Sequence, residues 1–135
     1  MGYELHITRA TFYYENEGAW IPADEWLRYI EEDPELKLAG YNGDYFALWS
    51  GKSKHPDPWF DWFDGNINTK NPDDPLIDKM VEIAKHLNAT VQGDDGEIYI
   101  GGGSKNFLPP PELDPPPATS PARKSWFRRL FWGGE

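Results

Sequence analysis

The stretch that decides the fold is YELHITRA, residues 3–10. Its residues alternate between an apolar set and a polar set: Tyr3, Leu5 and Ile7, and Glu4, His6 and Thr8. A period of two is typical of a β-strand with one buried face. The rest of the chain must therefore provide strands that pair with this one and helices that cover its apolar side.

Two amphipathic helices are predicted to cover that side. The first lies in IPADEWLRYIEED, residues 21–33, where Pro22 suits the first turn and Pro34 ends the helix. The second lies in NPDDPLIDKMVEIAKHLNA, with Asp74 as the expected N-cap and Asn88 as the C-terminal stop. Its predicted buried stripe is Leu76, Met80, Ile83, Ala84 and Leu87.

Further strands are predicted in the aromatic segments. YFALW, residues 45–49, is apolar on both faces and is expected to lie centrally. WFDWF, residues 59–63, is a second strand, ended by Asp64-Gly65, and TVQGDDGEIYI, residues 90–100, predicts a hairpin. The sequence thus predicts the α+β class, with a small, mainly antiparallel sheet and two helices packed on one face. A ferredoxin-like arrangement is one candidate among several.

Charge divides the chain into three parts. Residues 1–103 hold 8 Lys and Arg against 20 Asp and Glu, a net charge of −12, and form the predicted acidic domain. Residues 104–121 are a proline-rich linker, and residues 122–135 are a basic-aromatic tail. Because phosphate contacts need Lys and Arg, the acidic domain argues against nucleic acid and favours a basic protein partner.

The tail combines large apolar side chains with cations at helical spacing. The residues expected to carry attachment are Trp126, Phe127, Arg128, Arg129, Leu130, Phe131 and Trp132. This composition is typical of a peptide that binds an anionic membrane surface, and equally of one that docks into a groove of a partner or a larger assembly. We expect a cytoplasmic protein, peripheral at the inner face of the membrane.

The candidate partner-binding surface of the domain is the acidic-aromatic segment 57–64. Its expected contact residues are Asp57, Trp59, Asp61, Trp62 and Asp64. Trp side chains are favoured anchors at protein interfaces.

Catalytic chemistry has weaker support. The chain has no cysteine, which excludes disulfides and thiolate nucleophiles, and no nucleophile motif is present. The alternative to a binding protein is a small metal-dependent hydrolase using the carboxylates Asp57, Asp61, Asp64, Asp94 and Asp95. Turn geometry explains most of these residues equally well. The sequence therefore favours a non-enzymatic protein, with no catalytic residue, metal or cofactor assigned.

YELHITR, KNPD and VQGDDGEIY together resemble a family of small uncharacterised bacterial proteins, over roughly residues 3–100. In its acidic single-domain style the chain is also similar to immunity proteins, which neutralise a toxin by binding it. This resemblance implies a protein partner and carries over no catalytic residue.

Overall fold

The computed structural model describes residues 3–111, which form eight strands and two helices. In chain order these are β1 Glu4–Thr8, α1 Ala23–Glu32, β2 Leu36–Leu38, β3 Phe46–Trp49, β4 Trp59–Phe63, β5 Asn66–Lys70, α2 Asp74–His86, β6 Thr90–Gly93, β7 Ile98–Tyr99 and β8 Phe107–Leu108. Within this range, neither helix is long and apolar enough to cross a membrane.

All eight strands belong to one antiparallel sheet in the order β2-β3-β4-β5-β1-β6-β7-β8. The predicted α+β class is confirmed. β1 lies inside the sheet and pairs with both β5 and β6. The series β1-α1-β4-β5-α2-β6 follows the β-α-β-β-α-β succession of ferredoxin-like units. β2 and β3 extend this unit at one edge, and β7 and β8 extend it at the other.

One core joins the apolar side of the sheet to both helices. Leu5 and Ile7 of β1 are fully buried in it, together with Trp26 of α1. The predicted stripe of α2 is buried as expected: Leu76, Met80, Ile83, Ala84 and Leu87. Trp26 also donates its indole N–H to the carbonyl of Tyr45 at 2.9 Å, so α1 is fixed to the start of β3 by a hydrogen bond as well as by packing.

The ends of α2 are set by local hydrogen bonds. The N-cap is Asp73, whose carboxylate accepts from the Leu76 N–H at 3.3 Å, so the prediction of Asp74 was wrong by one residue. Asp73 also accepts from the backbone N–H of Lys54 at 2.7 Å, which holds it in the cap position. At the other end Asn88 has φ +55°, as expected of the residue that ends a helix.

The segment 59–70 forms a hairpin, although only its first half was predicted as a strand. Asp64 and Gly65 have φ of +49° and +85°, the geometry of a tight hairpin turn. β5 reads Asn-Ile-Asn-Thr-Lys, which sends Ile67 to the core and Asn68 to the opposite face. β5 was not predicted as a strand because it is rich in polar residues, and asparagine has a low strand propensity.

The sheet continues past residue 103, where the acidic domain was predicted to end. Gly101, Gly102 and Gly103 all have positive φ, and the N–H groups of Gly102 and Gly103 both donate to the Asp78 carboxylate at 2.9 Å. This loop is therefore fastened to α2, and it leads into β8 at the edge of the sheet. Three prolines, residues 109–111, follow β8 directly.

A buried ion cluster ties α2 to the segment that follows α1. The Lys79 side chain is 2% exposed, and its ammonium lies 2.8 Å from carboxylate oxygens of both Asp33 and Glu35. Burial alone would raise the pKa of Asp33, but the hydrogen bonds from Lys79, the Glu35 N–H and the Tyr29 hydroxyl outweigh it and lower that pKa. The carboxylate of Asp33 is therefore ionised at neutral pH and depends on Lys79.

We expect Lys79→Met to destabilise the protein by about 3–5 kcal/mol, because it leaves the charge of Asp33 buried without its cation. Lys85→Met, at an exposed position of the same helix, is the matched control and should change stability by less than about 0.5 kcal/mol. Urea denaturation measures both. Equal effects of the two substitutions would contradict a stabilising role for the cluster.

Candidate functional site

A row of paired residues crosses the face of the sheet opposite the core, here called the open face. Its members, in strand order, are Phe46, Asp61, Asn68, His6, Gln92, Ile98 and Leu108. Side chains alternate between the two faces of a strand, so the polar residues of β1 lie here because Leu5 and Ile7 are in the core. Four consecutive polar residues on four adjacent strands are the centre of the candidate site.

His6 is held in one orientation by its neighbours on this row. It is 5% exposed, and its Nδ1 lies 2.8 Å from Asn68 Oδ1. Asn68 directs its amide N–H groups to the carbonyls of Asp61 and Asn66, which leaves its oxygen for His6. The other nitrogen, Nε2, faces Asp94 Oδ1 at 3.2 Å. That contact is favourable when a proton or a metal ion lies between the two atoms.

The segment 11–16 lies across one side of the open face. The backbone N–H of Tyr13 donates to the Gln92 side chain at 2.8 Å, and Gln92 donates to the Thr11 carbonyl at 2.6 Å. The ring of Tyr13 then stacks on His6 with centroids 3.8 Å apart and planes 7° from parallel. Burial and the charge of Asp94 raise the pKa of Tyr13 to about 12, so its hydroxyl is neutral at physiological pH.

The rest of the face forms a cleft of about 400 Å³ between this segment and β4. Its lining is acidic, aromatic and amide side chains: Glu4, His6, Tyr13, Tyr14, Asn16, Trp59, Asp61, Phe63, Asp64, Asn66 and Asn68. No Lys or Arg is among these lining residues. At the rim, Lys70 Nζ lies 3.7 Å from Glu4 in an exposed pair. Such a pair neutralises little of the field in the cleft.

Asp61 lines the cleft with an uncompensated charge. Its side chain is half-buried, and within residues 3–111 no hydrogen bond or ion pair reaches its carboxylate. Burial raises the pKa of Asp61 above its ordinary value. A carboxylate that is partly removed from water and left without a partner is a ready acceptor for a ligand cation.

Aromatic side chains line the same cleft as this carboxylate. Phe63 is 66% exposed and Tyr14 is 42% exposed, while Trp59 stacks on Phe46 with centroids 5.2 Å apart. Exposed aromatic side chains of this size are enriched at protein-binding surfaces.

The predicted contact residues divide between several places. Trp59, Asp61 and Asp64 all line the cleft. Trp62 points to the other side of β4, where it packs against the core and donates to the Ile21 carbonyl at 2.7 Å. Asp57 lies in the loop before β4, outside the cleft. The predicted tail residues Trp126–Trp132 lie outside the described residues.

Sequence reasoning missed the contribution of the distant strands. Glu4 and His6 reach the cleft through the pairing of β1 with β5, across more than 60 residues of chain, whereas Asn68 reaches it through the β4–β5 hairpin. The signal for the first two was present, since the polar half of YELHITRA must face away from the core. Their meeting with β4 depended on β5, which was not predicted.

The carboxylates proposed for a hydrolase are not assembled into one cluster. Among the described residues, the group able to hold a metal ion is Glu4, His6 and Asp94, whose ligand atoms lie within 4.8 Å of one another. Asp94 alone comes from the predicted set. Asp95 lies in the turn after β6, where its backbone N–H donates to Glu97 at 3.2 Å.

A larger groove of about 590 Å³ lies between the helices, beside Lys79. Its central charges are already paired with one another, as described for Asp33 and Glu35. We therefore assign the candidate site to the open face.

Comparison with known proteins identifies no relative, because no family model, curated protein or solved structure matches the chain.

In the chain shortened to residues 1–111, which lacks the basic tail, we expect Asp61→Asn to raise the melting temperature at pH 7 by about 2–4 °C, the change that about 0.5 kcal/mol produces in a domain of this size. The gain is small because water still screens a half-buried charge. The raised pKa means that folding favours the protonated form. That stability is present below the ordinary pKa of 3.8 and is lost as pH rises through the folded-state value.

The difference between the shortened variant and its shortened parent should therefore disappear at about pH 3, where Asp61 is protonated in both states. Calorimetry across this pH range measures it. A shortened variant that is less stable than its parent at pH 7 would show that Asp61 has a stabilising partner within residues 3–111.

Proposed function

We propose that the chain is a non-enzymatic protein-binding module whose open face receives a basic segment of a partner protein. The observation that carries this proposal is the unpaired, half-buried carboxylate of Asp61 in a cleft whose lining includes no Lys or Arg. An Arg or Lys of the partner would supply the missing cation, and Phe63 and Trp59 would contact the apolar part of that side chain.

Electrostatics supports a basic partner beyond the cleft itself. The net charge of −12 over residues 1–103 attracts a basic surface from a distance and speeds its association. A toxin neutralised through its basic surface is one such partner, in keeping with the similarity to immunity proteins. Attachment through Trp126–Trp132 to an anionic membrane surface or an assembly groove is the second part of the proposal, and it rests on sequence alone.

We expect peptides selected by phage display on the immobilised full chain to be enriched in Lys, Arg and aromatic residues, because these complement the cleft. Phe63→Ala should weaken their binding about tenfold or more, as truncation of an interface anchor does. Tyr41→Ala is the matched control, since Tyr41 is 82% exposed but lies in the 3-10 turn before β3. Its effect should be negligible.

Fluorescence polarisation with the selected peptides measures the affinities. Affinity should also fall with added salt, because the attraction is between exposed charges. Selected peptides without an excess of basic residues, or equal effects of Phe63→Ala and Tyr41→Ala, would overturn the proposal.

A second candidate, the metal-dependent hydrolase, is favoured by one observation. Glu4, His6 and Asp94 offer one nitrogen and two oxygen ligands, a donor set that suits zinc or a similar divalent ion. Asn68 would orient the ligand imidazole through Nδ1, as outer-shell partners do in metal sites. A bound ion would lie at one end of the cleft, where it could activate water against a substrate.

For this candidate we expect one equivalent of Zn²⁺ to bind in isothermal titration calorimetry and to raise the melting temperature. His6→Gln should abolish that binding, because it removes the only nitrogen ligand of the group. Asp95→Asn, which changes an exposed carboxylate outside the group, should leave it unchanged. Absence of binding, or equal loss in both variants, would exclude the metal site.

A further inference from the structure

We propose that the cleft of the open face is occupied in the isolated protein by the chain's own C-terminal segment, residues 122–135. This inference rests on the proposed function, since it assigns the same face a ligand of the same chemistry. The tail would then compete with an outside partner for Asp61 and the surrounding aromatic rings.

The compositions of the tail and of the cleft are complementary. Residues 122–135 hold four Lys and Arg against one Glu, and these cations alternate with five large apolar residues. The lining of the cleft includes the carboxylates Glu4, Asp61 and Asp64 and the aromatic residues Trp59 and Phe63. Arg and aromatic side chains of the tail thus match carboxylates and rings of the cleft, including cation–π contacts from the tail cations to the cleft rings.

The last described residues lie on the side of the sheet that forms the open face. A Cβ placed on Gly96 would lie 3.3 Å from Cβ of Pro110 and 3.6 Å from the ring of Phe12, so Pro110 and Phe12 meet at the same point. Phe12 belongs to the segment that crosses the open face, and its ring lies 5.6 Å from that of Tyr14 at the edge of the cleft. The chain therefore leaves beside the cleft.

The intervening chain is long enough. Residues 112–121 span about 31 Å if extended at ~3.1 Å per residue. β4 and β7 are four strand spacings apart, which is about 19 Å. A short linker gives a local concentration in the millimolar range, so even a weak contact would keep the cleft largely occupied.

Nuclear magnetic resonance of the full chain tests this directly. Arg128→Glu/Arg129→Glu reverses the charge of the tail and should release it from the cleft. We expect the backbone amide signals of Asp61, Phe63 and Asn68 to shift, while those of α1 and α2 remain in place. The matched control is Arg28→Glu/Lys85→Glu, which makes the same change of net charge at exposed positions of the two helices and should leave the cleft signals unchanged.

If the tail occupies the cleft of its own molecule, the wild-type cleft signals should be independent of protein concentration. Cleft signals that change with dilution would place the tail on a second copy and overturn the proposal. Identical cleft signals in wild type and the tail variant, with the tail signals shifting only when anionic vesicles are added, would assign the tail to the membrane instead and also overturn it.

Peptide binding separates this inference from the proposed function. The tail variant should bind the selected basic peptides about tenfold more tightly than wild type, as expected if the cleft is free in about one molecule in ten. Equal binding by both would refute the occupied cleft and leave the binding module standing. No binding by either would refute the binding module itself.

Discussion

The structure depends on one constraint, the central position of β1 between two antiparallel partners. Every other residue of this strand must enter the core, so the remaining residues must lie on the open face. Leu5 and Ile7 are fully buried beside Trp26, while Glu4 and His6 are carried to the cleft by the same backbone. A shift of register by one residue would exchange these sets and lose both the core and the site.

Most side chains of the polar row on the open face are fixed by hydrogen bonds, and the one that is not is available to a ligand. His6, Asn68 and Gln92 use their polar atoms among themselves, with Asp94 and with segment 11–16. Asp61 continues the same row without such a partner. A preorganised polar surface with one unpaired charge limits the ordering that a ligand must induce, which favours binding.

Local patterns in the sequence were sufficient for β1, both helices and the β6–β7 hairpin, because each has a clear hydrophobic period or turn. They failed for β2, β5 and β8, which are very short or rich in polar residues and therefore have no clear hydrophobic period. Half of the site was predicted in the same way, because Trp59, Asp61 and Asp64 are close in sequence. Glu4 and His6 join them only through long-range register, and Asn68 joins them through β5 of the hairpin, which was not predicted. The period-two rule would have removed Trp62 once WFDWF was treated as a strand.

The two edges of the sheet are not equivalent. β8 is only two residues long, and the three residues that follow it have no backbone N–H to donate. A ninth strand, from another molecule or from a misfolded neighbour, would therefore find few hydrogen-bond donors along this edge. The prolines thus protect an aromatic-rich sheet against edge-to-edge aggregation, a role that is separate from any spacing they provide for the residues beyond.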